Sequence, residues 1–61
     1  MNGVVVLGLD AEAVADRVAA LQADGRRAAG FVGGPDDRTH AEAMAAELFG
    51  EDAVVEALDR A

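Results

Sequence analysis

Residues able to do chemistry are few, and they gather in two places. Asp10 closes an apolar run, and Gly33-Gly34-Pro35 is followed at once by Asp36 and Asp37, then by Thr39 and His40. A carboxylate at the end of a strand could hold a ribose hydroxyl, chelate magnesium or accept a phosphoryl group, because open α/β sheets bind ligands at that end. Asp10 also suits a helix N-cap, where its oxygens accept from free backbone N–H groups, and capping is the stronger reading. A phosphoacceptor site needs further acids and a Lys near the same edge. Asp36 and Asp37 could supply the acids, but the chain contains no Lys.

Gly33-Gly34 lies where a strand should hand over to a helix, a place suited to cradling an anion on backbone N–H groups. A plain strand-terminating turn explains the same residues. Asp36 and Asp37 would repel a phosphate, and both the G-x-G-x-x-G spacing and the longer phosphate loop are missing. The turn reading is the stronger. His40 has Asp36, Asp37 and Glu42 nearby as possible orienting partners for general-base work, but it reads better as an exposed first-turn residue. There is no Ser and no Cys, so Thr39 is the nearest thing to a nucleophile and triad chemistry is all but excluded. The sequence thus predicts no enzyme, no cofactor and no metal centre. A ligand, if held, would meet Asp10, Gly33, Gly34, Asp36 and Asp37.

The elements that must position these residues follow from hydrophobic periodicity. Gly3 to Leu9 is β-branched and apolar on both alternate faces, as strands of a parallel sheet are. Val4 and Val6 face one way, Val5 and Leu7 the other. Helix one runs from about Ala11 to Asp24, with Val14, Val18 and Leu21 on one stripe and Gly25 as the residue that ends it. Strand two is about Arg27 to Val32, weakened by Ala and Gly. Helix two begins between Asp36 and Thr39, where Thr39 and Glu42 fit a capping box. Ala41, Met44, Ala45, Leu48 and Phe49 make its apolar face, and Gly50 closes it. In the tail, Val54 and Leu58 at i, i+4 and the surrounding helix formers predict a short helix over a strand. Glu47, Glu51, Asp52, Glu56 and Asp59 read as a solvated acidic face.

A chain of 61 residues is one domain at most, and one of that size buries only about 60% of its unfolded surface. Disulfides and thiolate metal sites are ruled out by composition, which leaves association as the means of stabilisation. Twelve acidic residues against five Arg give a net charge of −7, so no basic stripe is available for nucleic acid. The apolar run is far below the roughly 20 residues of a membrane span, and no basic flank precedes it. The expectation is a cytoplasmic protein without nucleic-acid or membrane partners.

The order of residues resembles one stretch of the short-chain dehydrogenase/reductase family. There a second parallel strand leads into a helix with a Gly-containing turn, then a third strand, an acidic turn and a helix ending in Phe-Gly. Val4-Val5-Val6-Leu7, Asp10-Ala11-Glu12-Ala13-Val14 and the segment from Leu21 to Ala29 are similar to the first part. Gly34-Pro35-Asp36-Asp37, Ala41-Glu42-Ala43-Met44 and the segment from Phe49 to Val55 are similar to the second. The resemblance implies a Rossmann-like βαβα segment, with Asp36 or Asp37 toward an adenine and Gly8 to Asp10 toward a ribose. It also makes the tail a strand. The family's glycine-rich first turn, its Asn-Ala-Gly segment and its Tyr/Lys pair are missing, so dehydrogenase activity is not expected of this polypeptide alone. What the resemblance implies is a fragment or a repurposed half-fold.

The sequence reading is therefore an α/β fold, a minimal βαβα unit with two parallel strands and a short C-terminal helix or third strand, completed by oligomerisation. Its function is that of a non-catalytic module acting through self-association or within a larger assembly. A nucleotide- or phosphate-binding half-domain is the alternative. One face of Val4, Val5, Val6 and Leu7 is expected to need a partner. Met44, Leu48 and Phe49 are a second candidate docking stripe, although packing on the chain's own sheet explains that stripe better.

Overall fold

Three consecutive valines cannot all face one side of a strand, and the fold covers both sides. The computed structural model describes residues 3–58. In chain order these form β1 (Gly3–Gly8), α1 (Ala11–Ala23), β2 (Arg27–Val32), a 3₁₀ turn (Pro35–Asp37), α2 (Arg38–Phe49) and β3 (Val54–Ala57). The sheet is parallel throughout in the order β2-β1-β3, with Val4 level with Ala28 on one side and Val54 on the other. The first crossover steps from β1 to β2. The second steps back over β1 to β3, so two right-handed connections put their helices on opposite faces.

Each face has its own core. Val4 and Val6 pack with Val14 and Leu21 of α1. Val5 and Leu7 pack with Ala41 and Ala45 of α2, flanked by Phe31, Met44 and Phe49. Small residues in β2 let α1 come close: a Cβ on Gly30 would lie 2.7 Å from a methyl of Val14. Helix ends follow their local chemistry. Asp10 Oδ1 accepts from the Glu12 N–H at 3.0 Å. Gly25, at φ +87°, ends α1 with bonds from its own N–H to the Gln22 carbonyl and from the Arg26 N–H to the Leu21 carbonyl.

Several expectations are corrected. The tail is not a helix over Val54 to Leu58: Val54–Ala57 is a strand, and Leu58 donates its N–H to the Leu7 carbonyl at 2.7 Å. Pairing with the open side of β1 outweighs the good helix propensity of Glu56 and Ala57. The remainder of the tail, which includes Asp59, lies outside the described residues. The expectation that Val4, Val5, Val6 and Leu7 need a partner also falls. They are 8%, 0%, 0% and 4% exposed within the single chain, because the third strand fills the second edge of β1 and α2 takes the face opposite α1. Oligomerisation is not required to cover this strand. Thr39 is no cap. It sits inside α2, which starts at Arg38, and Glu42 pairs with Arg38 instead, at 3.3 Å. Leu48, expected on the buried stripe, is more than half exposed. Met44 and Phe49 are partly buried on the core.

Candidate functional site

The turns after β1 and β2 meet the end of β3 at the carboxyl edge of the sheet. Between them lies a cleft of about 330 Å³, lined by Leu9, Asp10, Gly34, Pro35, Arg38 and Leu58 among others. Ligands of open α/β sheets bind at this edge, where strand order reverses, and a 2-1-3 order places the reversal between β1 and β3. The wall is mostly apolar, with Asp10 and Arg38 as its charged members.

Among the residues expected to hold a ligand, Asp10, Gly33 and Gly34 come together on this cleft. Asp36 and Asp37 do not line it. The glycine turn has no free donor to offer. Gly33 donates its N–H to the Gly8 carbonyl at 2.8 Å. Gly34 donates to Asp37 Oδ2 at 3.0 Å, while the Asp37 N–H returns to the Gly34 carbonyl at 2.9 Å. The Asp37 carboxylate thus occupies the place where a phosphate would be cradled. Asp10 likewise spends one oxygen on the first turn of α1. Arg38 was missed by sequence reasoning, and so was Leu58, whereas Leu9 falls within the Gly8 to Asp10 stretch that the resemblance sets toward a ribose. A lone cation directly after two acids was the available signal for Arg38. His40 is well exposed, its Nδ1 3.7 Å from Asp37 Oδ1.

The sheet margins form a second feature. Backbone groups alternate in direction along a strand. Since Leu58 and Gly33 donate inward to β1, the peptide groups of Val55 and Ala57 on β3, and of Ala28, Gly30 and Val32 on β2, point outward. Among the described residues no strand pairs with them, and the Ala28 carbonyl alone is met by a side chain, accepting from Gln22 Nε2 at 3.2 Å. Both margins are also half bare. α1 lies over β2 and β1, and α2 over β1 and β3. Val54, on the α1 side of β3, is 54% exposed, and Val32, at the end of β2 and likewise on the α1 side, is 55% exposed. A single ion pair bridges the gap beside Val54: Arg17 of α1 grips Glu56 of β3 through two hydrogen bonds. The hydrogen bond from Arg17 lowers the Glu56 carboxyl below its ordinary range, against the opposing effect of partial burial. The same bond raises the guanidinium.

Among the described residues no group of three or more His, Cys, Asp or Glu is placed to hold a metal ion, and no helix is long and apolar enough to cross a membrane. Comparison with protein-family models, with curated proteins and with solved structures gives no match in any of the three.

Proposed function

We propose that this chain is a non-catalytic α/β module that works by association, through the margins of its sheet and not through the faces of β1. The observation that carries this reading is the pair of open parallel edges, each with outward peptide groups and an exposed valine. Parallel sheets are ordinarily covered, and an uncovered edge is a template for another strand. The test is a photo-crosslinking residue at Val32 or Val54 in cells that make the protein. Adducts with a second polypeptide are expected from both positions. Intramolecular products alone would overturn the reading.

The cleft supports a second reading, a half-domain for a nucleotide or phosphate, on account of its place at the reversal of strand order. The spent amides of Gly33 and Gly34 and the carboxylate of Asp37 oppose its phosphate part. The Rossmann-like correspondence meets a further difficulty. In the dinucleotide-binding order 3-2-1-4, the second and fourth strands are separated by the first. Here β1 and β3, which would be those two, pair directly. Thermal shifts with mononucleotides, dinucleotides and phosphate decide the matter. Stabilisation by nucleotides at millimolar concentration would favour this reading over the first.

A further inference from the structure

We infer that the partner is a second copy of this chain, docked head to tail so that β2 of one copy extends the sheet beyond β3 of the next, parallel to it. The inference rests on the association reading above and adds the identity of the partner and the geometry of the contact.

Three observations select this arrangement. The first is charge at one end of the sheet. Through β1, Arg27 is level with Gly3 and Val54 with Val4, so the chain enters β2 through Arg26 and Arg27 at the same end of the sheet where it enters β3 through Asp52 and Ala53. The foot of the β2 margin is therefore basic and that of the β3 margin acidic, with Glu51 beside Asp52, and all four charged residues are exposed. Parallel pairing of unlike margins brings these charges together. Antiparallel pairing of like margins puts the two feet at opposite ends and leaves each without its complement. In a chain of net charge −7, contacts that do not match charge are opposed by repulsion.

The second is a groove of about 520 Å³ between α2 and β3, whose lining includes Glu42, Ala46, Glu51, Val54 and Val55, together with Arg38, which is tied to Glu42. Arg27 alternates with Ala28 and so shares the α2 side of the sheet with Phe31. Continuing the sheet lays Arg27 of the incoming copy beside Glu51 at the foot of this groove.

The third is the stagger of the helices. The incoming copy carries its α1 over its own β2, beside the bare α1 side of β3 where Val54 is exposed. The resident α2 in turn flanks the half-bare α2 side of the incoming β2, where Phe31 lies. Each uncovered half-face gains a neighbouring helix. Unlike margins give a heterologous contact, so growth beyond two copies is expected.

Sedimentation velocity from micromolar to millimolar concentration tests this with two charge-swapped variants, Arg26→Glu/Arg27→Glu and Glu51→Arg/Asp52→Arg. The wild type should assemble progressively. Each variant alone should assemble at least about a hundredfold more weakly, and an equimolar mixture should recover, because each supplies the charge that the other lacks. A third variant, Ala57→Pro, removes an outward donor without touching the β1 ladder and should also weaken assembly, so the test survives if a swapped chain fails to fold. A wild type that stays monomeric, variants that assemble as the wild type does, or a mixture that does not recover would overturn the proposal. Adducts from Val32 and Val54 with a different polypeptide only would overturn it too, while leaving the association reading standing.

Discussion

Arg17 on α1 and Glu56 on β3 form a two-bonded ion pair across a stretch of sheet beside Val54 that α1 leaves uncovered. Arg17 is exposed and Glu56 partly so, and such a solvent-accessible pair contributes little to overall stability. Its signature is a pH dependence. Glu56 is held below its ordinary value of 4.5, chiefly by the Arg17 hydrogen bond. A carboxyl lowered by folding stabilises the protein above its unfolded value, and that contribution is lost as pH falls through the folded value. Glu56→Gln should melt slightly below the wild type at neutral pH, and the gap should close well below pH 4.5. A gap that persists in acid contradicts the assignment.

Gly30 is where α1 settles onto the sheet. Its missing side chain leaves room for Val14, whose methyl would stand 2.7 Å from a new Cβ. Gly30→Ala should destabilise by about 1–3 kcal/mol through overpacking. Val14→Ala in the same chain should recover part of that loss, as expected of residues in contact. Denaturant melts of the single and double variants measure this, and strict additivity would contradict it.

The direction of peptide groups along β3 gives a proline test. Ala57 points its N–H outward and Leu58 donates inward to Leu7. Proline is tolerated where an edge strand faces solvent. Ala57→Pro should keep the fold, whereas Leu58→Pro leaves the Leu7 carbonyl unpaired, at about 1–3 kcal/mol. Equal losses in thermal melts would show that the register is misassigned.

Asp37 closes the glycine turn by accepting from Gly34. Asp37→Ala should lose about 0.5–2 kcal/mol, the range of a lost cap. It should also gain more stabilisation from inorganic phosphate than the wild type, because it frees a donor and removes a negative charge. Greater stabilisation of the wild type would mean that the turn binds anions despite Asp37.

Where local chemistry decides the structure, it was legible in the residues. The strand over Val4 to Leu7, the Asp10 cap, the Gly25 terminator and the Ala41/Ala45 face of α2 all depend on neighbours a few positions away. The tail was misread because Val54 and Val55 are held by Val4 and Val5, fifty residues distant, and no local pattern reports that pairing. That one strand also undid the expected bare face of β1, since it fills the second edge. Thr39 lost the cap of α2 to a preceding 3₁₀ turn set by Pro35. Of the site, Asp10, Gly33 and Gly34 were legible as residues after strand ends. Arg38 joins them on a cleft shared with Leu9 and Leu58, a meeting of three distant segments that no local pattern reports.

Residue-resolved amide exchange, followed from dilute to concentrated protein, addresses the central claim that association runs through the sheet margins. The amides of Val4 to Leu7 should be equally protected at every concentration, while the outward amides of Ala28, Gly30, Val32, Val55 and Ala57 gain protection as the chain is concentrated. Loss of protection in Val4 to Leu7 on dilution, with no change at the outward amides, would contradict it.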